Sequence, residues 1–467
     1  MRLIGVEMIE NARFLDPNSE MIALSSLHNT KNIFVIAMEM KGPFEETLFK
    51  PAGIRTLESF PELRCCLTET RKGGRRYLYW NSRPDVNFPM TISDLKEHEI
   101  SSPVLDSVLK HLAPRLDRDW DLFDETPGEG HLLRVSRDHN IAVAMIHHAV
   151  FDAATAAEFG RRFFLEYRAL LTGVRDDSHG LDTHSLSTSR KRTVKVKRRK
   201  WEDIVSNARL ALEPLFSKPP LPVGSGTSDD SRQHHVKRAL SDEDTARIAM
   251  VSQKGGGAFI DTLVASSGLA IERWNSARNY ETGKVTTSVT MNIRGRYSGM
   301  DNMNNVSALF FESTSDERKD RKDLVRSISM SRIRQFRKQM DLRLYENVSR
   351  MIEAVNFLPF NSRRKIVHHI TQKHRCSIAI ILLGVIWPEM KNGKPTLNSF
   401  PTCVGETQIT EVYGTGYKHM TSTPLLLIVY FYLNRLNFIL TASGSLLTRE
   451  ETDEFMDVLV DIFRETI

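Results

Sequence analysis

The chain has 467 residues, of which 40% are hydrophobic, 26% charged and 8% aromatic. That length exceeds what one hydrophobic core ordinarily holds, so two core-bearing units are expected. The net charge of +6 is concentrated in residues 190–200, RKRTVKVKRRK, which carry +8 and leave −2 on everything else, and this argues against a folded domain that binds nucleic acid.

Taken in chain order, the start carries Glu7 and Glu10 where a secretory leader needs its apolar core. NIFVIAMEM (32–40) reads as a strand, and PELRCCLTE (61–69) and RRYLYW (75–80) as strand material near a turn. SPVLDSVLKHLAP (102–114) has helical apolar spacing. HLLRVSRDHNIAVAMI (131–146) reads as a hairpin around the polar turn SRDHN. Next comes a helix with Asp152 at its N-cap, Ala156, Phe159, Phe163, Tyr167 and Leu170 on its apolar face, and Gly173 as its stop.

Residues 174–238 turn polar and breaker-rich and read as a crossover with one docked helix, WEDIVSNARLALEPLF. The second half supplies helices at DEDTARIAMVSQKGG and IDTLVASSGLAIERW, then strands at TTSVTMNIR (286–294) and NNVSALFFEST (304–314). DLVRSISMSRIRQFRKQM and the segment up to Phe357 read as helical. SIAIILLGVI (377–386) and PLLLIVYFYLNRLNFILTA (424–442) read as strands. Thr448 and Glu451 form a capping box before a last helix striped by Phe455, Leu459 and Ile462. Strands alternate with helices in both halves, so the fold class is α/β or α+β with mixed sheets. The division expected is 1–173, 174–238 and 239–467. The longest apolar run, LLLIVYFYL (425–433), is half a bilayer span and reads as a buried strand. Cys65, Cys66, Cys376 and Cys403 lack metal-ligand spacing and read as free thiols in a reducing compartment. A soluble, cytoplasmic protein with no membrane span and no metal is expected.

The stretch with the most chemistry is IHHAVFDA (146–153). The pairs His234–His235 and His368–His369 are followed at the same offset by Ala239 and Lys373, so only His148 has an acid, Asp152, four positions on. Adjacent residues on a strand point to opposite faces, so one imidazole faces a cavity and the other the interior. A neutral imidazole suits general-base work near pH 7.

IHHAVFDA resembles the HHxxxDG signature of the CoA-dependent acyltransferase superfamily, which includes chloramphenicol acetyltransferase, condensation domains, polyketide-associated acyltransferases and the BAHD enzymes. LDRDWDLFDETPGEGHLLRV (116–135), MNIRGRY (291–297) with DNMNNVSALF after it, and the closing stretch 424–457 resemble other segments of the same family in order. The resemblance implies two chloramphenicol acetyltransferase-like subdomains forming a V-shaped pseudo-dimer, with a channel between them. It implies that His148 is the general base, that His147 supports the loop from the interior, and that Asp152 ion-pairs with an arginine, for which Arg294 is the candidate. Ala153, Asn292, Ser377, Tyr413 and Thr415 are candidate cavity-lining residues. The activity implied is acyl transfer from a CoA or acyl-carrier thioester to a hydroxyl or amine of a small-molecule acceptor, in specialised-metabolite biosynthesis. The protein would act as a monomer with no permanently bound cofactor.

The sequence departs from the family at three places. Ala153 stands where glycine is usual; YGTGY (413–417) is all that corresponds to the DFGWG element; and Leu382 stands where condensation-type relatives often have asparagine. These departures keep open a condensation or cyclisation without CoA, and a non-catalytic binding protein on the same fold. The basic tract reads either as a dock for CoA phosphates, a carrier protein or an import receptor, or as a solvated loop.

Overall fold

The computed structural model describes residues 13–26, 31–83, 87–100, 104–174, 223–224, 233–254, 259–293, 304–371, 376–391, 394–400, 402–417 and 423–466. Among these, two six-stranded sheets carry the architecture. The first runs in the order Cys403–Val404, Thr407–Tyr417, Ile33–Lys41, His139–His147, Gly128–Ser136, Met90–Asp94. Its pairs are antiparallel except the last, where Met90–Asp94 lies parallel to Gly128–Ser136. The second sheet runs Val306–Ser313, Val285–Asn292, Ile378–Val385, Leu425–Tyr432, Arg435–Ser443, Gln233–Ala239, with Ile378–Val385 parallel to both neighbours. The fold is thus mixed α/β, with helices packed on both sheets.

Of the two strands flanking the histidine motif in the first sheet, Ile33–Lys41 pairs without a break, and Gly128–Ser136 shifts register only between Arg134 and Ser136, at the end away from the motif. Ile33 pairs with His147 and Lys41 with His139, while Gly128 pairs with Ile146. All but the ends of these strands are buried, which fixes the register because a one-residue slip would turn the apolar face outward.

The apolar run Leu425–Tyr432 shows why a buried strand need not alternate with polar residues. Leu426, Ile428, Tyr430 and Tyr432 enter the core of the first lobe, whereas Leu425, Leu427 and Val429 enter the core of the second. A period of two sends alternate side chains into two different cores, and both must be apolar. No helix among the described residues is long and apolar enough to cross a membrane.

Sheet membership departs from the expected chain division at two points. All of Gln233–Ala239 but its last residue falls inside the expected 174–238 crossover, yet the strand pairs antiparallel with Arg435–Ser443 in the second sheet. Thr407–Tyr417 falls inside the expected C-terminal portion, yet it pairs with Ile33–Lys41 in the first. The second half of the chain therefore returns a strand to the first lobe. The helix expected at 201–216 and the basic tract lie outside the described residues.

A helix at Phe360–Thr371, beyond the helical segment read as ending at Phe357, follows a break at Pro359. It carries Arg363, fully buried, which donates to Glu20 at 3.0 Å, to Glu69 at 2.5 Å and to Asn356 at 2.9 Å. Those bonds tie the second half of the chain to the helix Pro17–Ser25 and the strand Cys65–Lys72 of the first. The final helix, Arg449–Thr466, begins with the reciprocal Thr448–Glu451 cap, the two amide contacts measuring 2.9 and 3.2 Å. All four cysteines are free thiols, with Cys65, Cys66 and Cys376 buried and Cys403 exposed.

Candidate active site

The strand His139–His147 ends at the first histidine of the motif, and the helix Ala153–Thr172 begins six residues beyond it. Between them the chain makes a tight junction: His147 N donates to Pro127 O at 2.7 Å, His148 N to Asn32 O at 2.7 Å, and Val150 N back to His147 O at 3.0 Å. Each backbone group leaving the sheet is taken up by a neighbouring segment, so the two imidazoles are fixed from below.

The two rings have different surroundings. His147 Nδ1 accepts from Ala149 N at 3.1 Å, which puts the ring proton on Nε2, where it is donated to Ser26 Oγ at 3.0 Å. Ser26 Oγ also accepts from Asn32 Nδ2 at 3.0 Å and donates to Ile22 O at 3.0 Å. Burial, with the neighbouring His148 ring, holds the His147 pKa down at about 3, so this imidazole stays neutral. It is not part of the cavity wall described below.

His148 is on that wall. Its Nδ1–H donates to Phe151 O at 2.8 Å, which leaves Nε2 as the acceptor nitrogen. Phe34 packs on the ring with centroids 4.2 Å apart. Burial pushes the His148 pKa below its ordinary value, opposed by its bond to the Phe151 carbonyl, the charge of Asp152 and the nearby Asn304 amide. The imidazole is thus kept in the neutral form that can take a proton.

Asp152 is 1% exposed and serves as the N-cap of the helix. Oδ1 accepts from Thr155 N at 3.0 Å and Thr155 Oγ1 at 3.1 Å, and Oδ2 from Asn305 N at 3.2 Å. The cap therefore reaches from the first lobe into the segment preceding the strand Val306–Ser313 of the second. The guanidinium expected opposite it, Arg294, lies outside the described residues.

A second bridge runs beside the first. Asn304 Nδ2 donates to His148 O at 2.6 Å and to Ser19 Oγ at 2.8 Å. Asn18 Nδ2 donates in turn to Asn304 O at 3.1 Å and Val306 O at 2.7 Å. Asp16 holds the helix start by accepting from Asn18 N and Ser19 N at 2.9 and 3.1 Å and from Ser19 Oγ at 2.5 Å. These four residues position the His148 backbone, and sequence reasoning did not single them out. The only signal was that Asn304 lies in DNMNNVSALF, just before a strand.

His148 opens on a cavity of about 340 Å³ lined by both lobes. The first contributes Asn18, Phe34, Asp152, Ala153 and Ala154; the second contributes Asn292, Ser307, Tyr345, Leu382, Leu426 and Thr441 among others. Ala153 and Asn292 thus lie on the wall with His148. Ser377 does not: it is fully buried, and its Oγ accepts from Thr286 N at 3.2 Å. Tyr413 and Thr415 line a smaller neighbouring pocket instead, while Gly416 of the same strand reaches the main cavity. The Thr415 hydroxyl is engaged by His235 Nδ1 and Thr441 Oγ1, each at 3.0 Å. Burial holds His235 down at about 3 as well, helped by the charge of Arg449.

No family model matches the sequence, and no curated protein matches it. Solved structures do. The chain superposes on the first condensation domain of the CDA synthetase with a TM-score of 0.70 at 14% identity, covering 98% of this chain and 96% of that one. It is similar to the trichothecene 15-O-acetyltransferase TRI3 from Fusarium sporotrichioides, with a TM-score of 0.70, 10% identity and coverages of 97% and 94%. It is also similar to a mutant starter condensation domain of rhizomide synthetase RzmA solved in complex with C8-CoA, with a TM-score of 0.63, 12% identity and coverages of 98% and 95%. Over nearly its whole length, the chain has the chloramphenicol acetyltransferase-like fold that condensation domains share with this acetyltransferase.

Proposed function

We propose that the protein is an acyltransferase in which His148 is the general base. The observation that carries this reading is the tautomer: Nδ1–H is bound to the Phe151 carbonyl, so the basic nitrogen belongs to a neutral ring on the wall of a cavity between two lobes. An acceptor hydroxyl or amine gives its proton to Nε2 as its oxygen or nitrogen attacks the thioester carbonyl. The tetrahedral intermediate then collapses with cleavage of the carbon–sulfur bond, and the imidazolium returns the proton to the departing thiolate.

The first turn of the helix Ala153–Thr172 lies on the same wall, at Ala153 and Ala154. Helix-initial amides have no intrahelical acceptor and carry the positive end of the dipole. Asp152 takes the Thr155 amide, which leaves the Ala153 and Ala154 amides as the donors proposed for an oxyanion at this point. The donor is read as an acyl thioester of CoA or of a carrier protein, and the acceptor as a small molecule of biosynthesis; solved neighbours of the same fold include an acetyltransferase and a domain in complex with C8-CoA. The second reading is a condensation or cyclisation of a carrier-bound or free intermediate without CoA, favoured by YGTGY standing in place of the DFGWG element at 413–417.

The test is thiol release from acetyl-CoA and longer acyl-CoAs against a panel of alcohols and amines, with products identified by mass. Release that depends on an acceptor supports acyl transfer from CoA. Turnover only with carrier-loaded thioesters supports the second reading.

A further inference from the structure

Beside the main cavity is a smaller pocket of about 40 Å³, and Phe34, Ala153 and Leu383 form part of the wall of both. Its remaining walls include Ala157, Trp387, Gly414 and Ile428. Four lining side chains carry polar atoms, and the protein engages each of them. The Tyr413 hydroxyl donates to Glu39 Oε2 at 3.3 Å, Tyr430 to Val412 O at 2.5 Å, and Trp387 Nε1 to Ala157 O at 2.6 Å. The Thr415 hydroxyl is shared with His235 and Thr441. A void with room for water but no partner for it stays dry and gains by taking hydrocarbon.

The pocket lies beside the reactive centre. Phe34, on the shared wall, packs directly on the His148 ring. The described residues of the main cavity include no lysine or arginine for a carboxylate, and its acidic side chain, Asp152, holds Thr155 and Asn305.

We propose that the side pocket receives the hydrocarbon end of an acyl chain whose carbonyl carbon lies at His148, so that the donors are aliphatic acyl thioesters longer than acetyl. The proposal rests on the acyl-transfer reading of the main cavity. It makes Gly414 a specificity position: a Cβ added there meets nothing within 4 Å, so a side chain can grow into the void without displacing the fold.

The test uses S-alkyl pantetheine thioethers with chains of two to eight carbons, which cannot react and which share the thiol arm of CoA and carrier donors. Binding is read by calorimetry on the full chain. In the parent protein, affinity rises about fourfold per methylene until the pocket is filled. In Gly414→Val, whose β-branched side chain suits a strand, the rise stops at a shorter chain. Ala157→Leu fills the pocket from the helix side and repeats the test should Gly414→Val fail to fold. An equal gain per methylene in the parent and the folded variants, or no gain in the parent, overturns the proposal. If no thioether binds at any length, the thioester reading of the cavity fails, and the pocket is then tested with 1-alkanols of the same lengths. A length-dependent gain removed by Gly414→Val sustains a hydrocarbon pocket; a gain indifferent to that substitution, or no gain, overturns it.

Discussion

Replacing Asp152 by alanine removes three acceptor contacts among the described residues at once. Two of them, to Thr155 N and Thr155 Oγ1, cap the helix that starts at Ala153, and the third takes the amide of Asn305 in the second lobe. Loss of an aspartate N-cap costs about 0.5–2 kcal/mol. Asn305 is 0% exposed, and taking this acceptor from its amide costs about 1–3 kcal/mol more. Because the two effects share one side chain they need not add fully, so the expected loss is about 2–4 kcal/mol. At roughly 2 °C per kcal/mol for a large domain, the melting midpoint falls by about 4–8 °C. Asp152→Asn retains a side-chain oxygen and recovers most of that loss. Differential scanning calorimetry on the three proteins measures this directly. An Asp152→Ala protein that melts with the parent would refute the role of this carboxylate as the clasp between the lobes.

Asn304→Ala takes one donor from both the His148 carbonyl and Ser19 Oγ, so it lowers stability by about 1–3 kcal/mol and lowers turnover through misplacement of the imidazole. Chemical denaturation together with kcat measurements checks it, and unchanged kcat in a folded Asn304→Ala protein would remove Asn304 from the positioning of His148. Arg363→Ala leaves Glu20, itself fully buried, without its guanidinium and costs about 3–5 kcal/mol, read as a lower urea midpoint. Stability also falls in mild acid. His147 and His235 are held near 3 when folded and titrate near 6.5 when unfolded, so the unfolded chain binds more protons below that pH, and stability is lost as pH drops from 6.5 toward 3. Between pH 7.5 and 5.5 these two cost roughly 3 kcal/mol together, with His148 acting in the same direction. Glu129, depressed to about 2 by its bonds to His131 and Arg115, loses its contribution only below about 4.5, outside that window. Urea midpoints that are flat over this range would contradict the neutral burial of the histidines.

Much of the site was legible because its signals are local. The hairpin before the motif, the aspartate at the helix N-cap and the glycine at its end, whose φ is +72°, each follow from a few neighbouring residues. What was not legible depends on chain segments far apart in sequence. Thr407–Tyr417 holds two glycines, which weaken the local strand signal, and only its pairing with Ile33–Lys41 makes it a strand of the first sheet. Whether Ser377, Tyr413 or Thr415 faces the reactive centre depends on how two sheets meet, which no linear pattern encodes. Asn18 and Asn304, almost three hundred residues apart, meet because two lobes close around one backbone carbonyl. The apolar spacing of Leu425–Tyr432 revealed a buried strand, but not that its two faces belong to different cores.

The most direct test of His148 as the base is the rate of thiol release for the best donor–acceptor pair in the parent, compared with His148→Ala shown by calorimetry to be folded. Removal of the base lowers kcat by about 10²–10⁴-fold. A folded His148→Ala protein that releases thiol within a few-fold of the parent rate would contradict it.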